Sequence, residues 1–165
     1  MEAACTLTTE KAIRLFEKFN IFTRIELESR EEITYETYAK TINIEALTMI
    51  DMAGRQYIPA VIRYTKTLAD TVVAVKAAGA DPFVQAELLA QVSAKLRAAK
   101  EALTRLEKAA GEAMAMDNVR ERAFFCRDTV RAAMEELRIP IDELERMVDK
   151  EIWPVPSYGE LTFEI

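Results

Sequence analysis

Apolar residues recur along this chain at intervals of three and four, the spacing that places side chains on one face of an α-helix. The longest run of this kind begins at Tyr35 and extends beyond Tyr64. Its small and apolar members are Tyr35, Ala39, Ile42, Ala46, Met49, Ala53, Tyr57, Ala60, Tyr64, Leu68, Val72 and Val75. The pattern predicts a long helix over residues 24–78.

The same helix carries a second apolar stripe on a different side, formed by Ile44, Leu47, Ile58 and Val61. A helix that is apolar on two sides is contacted on two sides. One contact is expected with the other helices of the chain. The second is expected with a further helix, another subunit or a domain outside this chain.

Gly54 and Pro59 interrupt the long helix. Pro59 has no backbone N–H to donate to the Arg55 carbonyl, and its ring crowds that turn, so a kink is predicted near residues 55–59. Two interpretations are open: a tolerated bend that wraps the helix round its core, and a functional hinge.

Heptad spacing predicts two more helices after the long one. The first covers residues 82–115; it follows a terminating glycine, Gly79, and begins with the capping pair Asp81-Pro82. Its core positions are Leu89, Val92, Leu96, Ala99, Leu103, Leu106, Ala110 and Ala113. The second covers residues 118–138. Its core positions are Val119, Ala123, Cys126, Val130, Ala133 and Leu137.

Two short helices complete the pattern. One covers residues 8–19 and is capped by Thr8 or Thr9. The other covers residues 141–152, because Pro140 is expected to break or kink the preceding helix.

The pattern changes from Trp153 onward. Residues 153–165, WPVPSYGELTFEI, contain two prolines and a glycine among aromatic and aliphatic residues, so an extended segment laid along a surface is predicted. That surface belongs either to this chain's own helices or to another domain or subunit. The whole pattern predicts an all-α fold, with one helical domain over residues 1–165. We expect an antiparallel three- to four-helix bundle built on one long, proline-kinked helix, with an extended C-terminal tail.

The charge of the chain restricts its partners. Lys and Arg number 22 and Asp and Glu 28, a net charge of −6, which argues against nucleic acid and against an anionic membrane surface. No apolar run is long enough to span a bilayer and no signal-peptide pattern opens the chain, so a cytoplasmic protein is expected. Cys5 and Cys126 are expected to be free thiols, although a single disulfide is compatible with the sequence.

The chain has no histidine, which removes the commonest general base and nearly all zinc and haem sites. Paired carboxylates that could be considered for a di-metal site are Glu31/Glu32, Glu135/Glu136 and Glu143/Glu145. They lie at the edges of apolar stripes and are expected to be solvated. Glu45 is the acid nearest to apolar neighbours, but it falls on the polar strip of the long helix.

Arg55 and Arg63 lie beside Tyr57 and Tyr64 and are candidates for binding an anion or a carboxylate. Contacts with nearby acids, or packing of their aliphatic stems, are the favoured interpretation. Cys126 occupies a heptad core position and is interpreted as a small buried hydrophobe. No glycine-rich phosphate loop exists, and no catalytic, cofactor-binding or metal-binding residue is assigned.

Two blocks of the sequence resemble a known family. Residues 28–64, ESREEITYETYAKTINIEALTMIDMAGRQYIPAVIRY, and residues 153–163, WPVPSYGELTF, closely resemble the C-terminal helical region of type III glutamine synthetases. The resemblance extends from Thr8 to Phe163. It implies an origin in enzymes that make glutamine from glutamate, ammonia and ATP with a divalent metal such as Mg, as large two-ring oligomers. The catalytic residues of that family belong to a strand-rich domain with no counterpart in this chain, so none is carried over.

Three functions are therefore considered. The leading one is a structural or oligomerisation domain without activity of its own, whose partners are the catalytic domain of the same polypeptide and neighbouring subunits. The alternative is a free-standing adaptor that binds a partner helix through the second stripe. The third is a helical enzyme or small-ligand binder that uses Arg55, Arg63 and the tyrosines.

Overall fold

The computed structural model describes residues 2–156 and 161–162. Every regular element within these residues is helical, which confirms the predicted all-α class. The α-helices are α1 (Glu2–Cys5), α2 (Glu10–Lys18), α3 (Arg24–Met52), α4 (Ile58–Ala77), α5 (Phe83–Met114), α6 (Val119–Phe125) and α7 (Arg131–Glu145), and π-helical turns occupy Ala53–Tyr57 and Cys126–Val130. None of the helices in the described ranges is both long and apolar enough to cross a membrane.

The chain divides into two compact units. Unit 1 comprises Met1–Leu47 and Glu107–Ala133, and unit 2 comprises Thr48–Leu106 and Met134–Ile165. Each unit buries its own set of apolar side chains.

The predicted long helix corresponds to α3, the first π turn and α4, which together form one helix of 54 residues. In the π turn, the N–H of Ile58 donates to the carbonyl of Ala53, five residues back. This widened turn lies immediately before Pro59, whose missing N–H disturbs the regular bonding of that segment. Gly79 ends the helix with a φ of 82°, and its N–H donates to the Lys76 carbonyl.

The predicted break at Pro140 is wrong. Helix α7 runs from Arg131 to Glu145 with Pro140 inside it, so residues 141–145 of the predicted 141–152 helix are helical, but residues 146–152 are not. Pro140 is buried between Leu137 and Ile141, which are also buried. Burial of this face outweighs the local cost of a proline within the helix.

Unit 1 has a core of mostly small side chains. Its buried residues are Ala4, Ile13, Leu27, Tyr35, Ala39, Ile42, Ala46, Ala109, Ala110, Ala113, Ala123, Cys126, Val130 and Ala133. Thr9 caps α2, as expected, by accepting a hydrogen bond from the Ala12 N–H, and Asn118 caps α6 by accepting one from the Glu121 N–H.

Unit 2 has a core of larger aliphatic side chains. Its buried apolar residues are Ala53, Ala60, Val61, Leu68, Val92, Ala99, Ala102, Leu103, Leu106, Leu137, Ile141, Leu144 and Val148. The heptad assignment of Leu103 and Leu106 is confirmed, since both are almost fully buried. Leu89 and Leu96, in the first half of the same helix, are only half-buried.

Cys5 and Cys126 are not joined in a disulfide; Cys5 is half-buried and Cys126 is buried. In the predicted tail, residues 153–156 lie outside the helices, whereas Leu161 and Thr162 have helical backbone, so an extended conformation does not hold for these two. The rest of the predicted tail, residues 157–160 and 163–165, lies outside the described residues.

Candidate functional site

The carboxylates singled out by the sequence have separate neighbours. Glu136 pairs with Arg105 at 2.9 Å and Glu143 pairs with Lys95 at 2.7 Å, both on the surface of unit 2. Glu45 is exposed. Within residues 2–156 and 161–162, no three Cys, Asp or Glu side chains are arranged to hold a metal ion.

Arg55, Tyr57 and Tyr64 have separate neighbours in the structure, and Arg63 is exposed. Arg55 pairs with Asp51 of the preceding turn at 3.2 Å and is 81% exposed. Tyr57 instead stacks on Trp153, with ring centroids 5.1 Å apart. Burial raises the pKa of Tyr64, with a smaller contribution from the negative charge of Asp149.

Unit 1 contains a polar cluster around the buried hydroxyl of Tyr35, which was not predicted. The Tyr35 hydroxyl donates to Glu31 Oε1 at 2.6 Å and shares a second hydrogen bond with the Cys5 thiol, whose Sγ lies 2.8 Å away. Thr8 donates to the other oxygen of Glu31, and Arg120 Nη2 lies 3.8 Å from Cys5 Sγ. Burial, followed by these two hydrogen bonds and the negative charge of Glu31, raises the pKa of Tyr35.

A cleft of about 390 Å³ opens beside this cluster. It is lined by Glu28, Glu31, Glu32, Tyr35, Asp117, Asn118, Val119 and Arg120. The cleft is predominantly acidic, and the hydrogen bonds of Glu31 hold α3 against the N-terminal segment. This arrangement ties α1 to α3.

Unit 2 contains the more distinctive surface, which we name the Tyr57–Trp153 groove. It has a volume of about 310 Å³ and is lined by Met52, Tyr57, Ile141, Asp142, Glu145, Trp153, Val155, Pro156 and Leu161. Its walls are apolar or aromatic, and its two charged lining residues are both acidic. A neighbouring cavity of about 260 Å³ shares Met52, Tyr57, Ile141 and Asp142 with the groove and extends it.

Two polar groups in the Tyr57–Trp153 groove lack partners among the described residues. The indole Nε1 of Trp153 is buried without a hydrogen bond. Glu145 makes no described ion pair, whereas Asp142 accepts from Arg138 at 3.2 Å. Burial raises the pKa of Tyr57, and the charge of Glu145 contributes next, ahead of Asp142.

The part of α3 that belongs to unit 1 also exposes large apolar side chains. Their exposed fractions are 77% for Ile25, 57% for Ile33, 65% for Ile44 and 52% for Leu47. Because successive helical residues turn by about 100°, these four positions fall within an arc of about 100° on one face. Ile44 and Leu47 belong to the predicted second stripe, whereas its member Val61 is buried.

Comparison with known proteins gives a consistent result. Residues 1–76 match the family model described as "Glutamine synthetase C-terminal domain". A type-3 glutamine synthetase from Dictyostelium discoideum is 31% identical over 173 aligned residues, which cover 98% of this chain and 23% of that protein.

Two bacterial glutamine synthetases are similar to the same extent. The protein from Butyrivibrio fibrisolvens is 33% identical over 159 residues, covering 95% of this chain and 23% of its own length. The protein from Bacteroides fragilis (strain YCH46) is 31% identical over 149 residues, covering 87% of this chain and 20% of its own length. The chain therefore spans less than a quarter of the length of these relatives.

Proposed function

The chain belongs to the family of glutamine synthetase C-terminal domains, and we propose that it serves as a structural and oligomerisation domain of a type III glutamine synthetase. The reaction of the parent enzyme would be the ATP-dependent ligation of ammonia to glutamate. Its partners would be the catalytic part of the same polypeptide and neighbouring subunits of a homo-oligomer in the cytoplasm.

ATP and Mg would bind in the catalytic part of the parent enzyme rather than in this chain. Divalent cations need several carboxylates converging on one point, and the described residues offer no such group. No chemical step is therefore assigned to residues of this chain.

The observation that carries this proposal is the exposed apolar face of α3. Four large aliphatic side chains on one arc of a helix favour contact with another protein surface. Ile33 and Ile44 are both members of this face. Both belong to the segment that resembles the synthetases, residues 28–64.

The finer architecture is part of the same proposal. We expect residues 1–165 to act as a single helical domain, with an antiparallel three- to four-helix arrangement and a bend of the long helix near Pro59. The π turn Ala53–Tyr57 supports a local change of helix geometry immediately before that proline.

A free-standing adaptor is not favoured. The synthetases align along 87–98% of this chain, so its whole length, and not merely one stripe of the long helix, corresponds to part of an enzyme.

The proposal is tested by co-expressing this chain with the remainder of the synthetase, which carries an affinity tag. We expect the wild-type chain to copurify and the double variant Ile33→Glu/Ile44→Glu to lose at least about tenfold in recovery, because two charges would be buried unpaired. The control is Val73→Glu, an exposed apolar position of unit 2, which should copurify like the wild type. Equal recovery of the double variant and the wild type would contradict the assigned surface.

A second measurement tests where the chemistry lies. The purified chain should form no glutamine from glutamate, ammonia and ATP in the presence of Mg. Turnover by this chain alone would contradict the proposed structural role.

A further inference from the structure

We propose that the Tyr57–Trp153 groove binds a basic peptide segment of the synthetase's catalytic part, with an arginine or lysine facing Glu145 and apolar groups against the stacked rings of Tyr57 and Trp153. The origin of the segment rests on the proposed function. The chemistry of the groove is independent of it.

The carboxylate of Glu145 favours a cation in the groove. Of the two acids in the groove, Asp142 already accepts from Arg138 at 3.2 Å. Glu145 lines the same groove without a described ion pair and lies close enough to influence Tyr57. A lysine or arginine would complement this charge, and a ligand rich in phosphate or carboxylate would be repelled by both acids.

The walls of the groove suit apolar groups next to that cation. Met52, Ile141 and Val155 provide aliphatic contact, and the flat stack of Tyr57 on Trp153 provides an aromatic surface. Methionine and aromatic side chains are adaptable contact residues at binding surfaces. The adjoining cavity, lined in part by Met49 and Leu137, gives room for more than one residue.

The groove has an intrinsic reporter, because Trp153 is the only tryptophan of the chain. Fluorescence of the 165-residue chain is measured during titration with the blocked peptide acetyl-Leu-Arg-Leu-amide. We expect a saturable change in emission. The peptide acetyl-Leu-citrulline-Leu-amide, which has nearly the same shape without the positive charge, should bind at least about fivefold more weakly. No saturable change, or equal affinity for the two peptides, would overturn the inference.

Matched variants assign the interaction to the groove. Glu145→Gln should weaken binding of the arginine peptide at least about fivefold and reduce its dependence on salt. Glu151→Gln, an exposed glutamate of unit 2 outside the groove lining, should bind like the wild type. Circular dichroism of both variants checks that they are folded. Equal binding by Glu145→Gln and the wild type would overturn the role of this carboxylate.

The origin of the segment is tested in the copurification experiment with the tagged remainder of the synthetase. Glu145→Gln and Trp153→Phe should reduce recovery of the chain, and Glu151→Gln should not. If the wild type copurifies and all three variants do so equally, the groove inference fails and the proposed function stands. If the wild type does not copurify but the arginine peptide binds, the proposed function fails and the groove chemistry stands.

Discussion

The two units bury different kinds of side chain. The core of unit 1 is mainly alanine and contains one buried tyrosine whose hydroxyl needs partners, whereas the core of unit 2 is rich in leucine. Unit 1 therefore depends on the hydrogen bonds of Tyr35, and unit 2 depends on filling space with aliphatic groups. The contrast predicts that the two units respond to different kinds of substitution.

The largest loss of stability is expected from a substitution in the core of unit 2. Leu103 is 1% exposed, and Leu103→Ala should lower the free energy of unfolding by about 2–5 kcal/mol, through lost burial and the cavity that remains. Chemical denaturation followed by circular dichroism measures this change. The control is Leu15→Ala, because Leu15 is 55% exposed and should change the free energy by no more than about 0.5 kcal/mol. Similar losses for both variants would contradict the contrast between core and surface leucines.

The next largest loss of stability is expected from a substitution in unit 1. Tyr35→Phe keeps the ring but removes the hydroxyl that contacts Glu31 and Cys5. The free energy of unfolding should fall by about 1–3 kcal/mol, because a hydrogen bond to a charged acceptor is lost inside the unit. Tyr38→Phe is the matched control in the same helix, since no hydrogen bond of the Tyr38 hydroxyl is described. An unchanged free energy for Tyr35→Phe would show that the polar cluster does not stabilise unit 1.

A smaller loss of stability is expected at alkaline pH. Burial raises the pKa of Tyr35 above its ordinary value of 10.0, so the folded protein holds this proton more tightly than the unfolded chain. This contribution to stability is complete below pH 10.0 and is lost as the pH rises above that value. The pKa values of Tyr57 and Tyr64 in unit 2 are raised in the same direction, first by burial.

Unfolding free energies measured from neutral pH to above pH 10.0 test this prediction. The wild type should lose stability above that point, and Tyr35→Phe should lose it less steeply. A parallel decline in the two proteins would assign the alkaline loss to groups other than Tyr35.

Much of the fold could be predicted from the sequence, because helical periodicity depends on local spacing. The stripe through Tyr35, Ala46 and Leu68 is buried as predicted. The continuation of α7 through Pro140 was not predicted, since the local preference of proline opposes it and only packing of the buried face favours it. Of the predicted second stripe, Ile44 is exposed, whereas Val61 is buried in the core of unit 2.

The polar cluster around Tyr35 and the Tyr57–Trp153 groove were harder to predict from the sequence. The cluster of Cys5, Glu31 and Tyr35 joins residues 30 positions apart, and the Tyr57–Trp153 groove joins residues much farther apart in the chain. The spacing of Glu31 and Tyr35 by four positions was the one local signal, and it suits a hydrogen bond along a helix face. The tail motif indicated that Trp153 contacts a surface, but the identity of that surface depends on the tertiary fold.

The smallest effect is expected at the surface of unit 2, where Lys95 and Glu143 pair at 2.7 Å. Both side chains are about two-fifths exposed, so water screens the pair, and ordering two long side chains offsets part of the attraction. A double-mutant cycle with Lys95→Met and Glu143→Gln should give a coupling of no more than about 1 kcal/mol, and salt at about 1 M should remove most of it. A coupling as large as the loss from Leu103→Ala, or one insensitive to salt, would mean that ion pairing rather than aliphatic packing distinguishes unit 2 from unit 1.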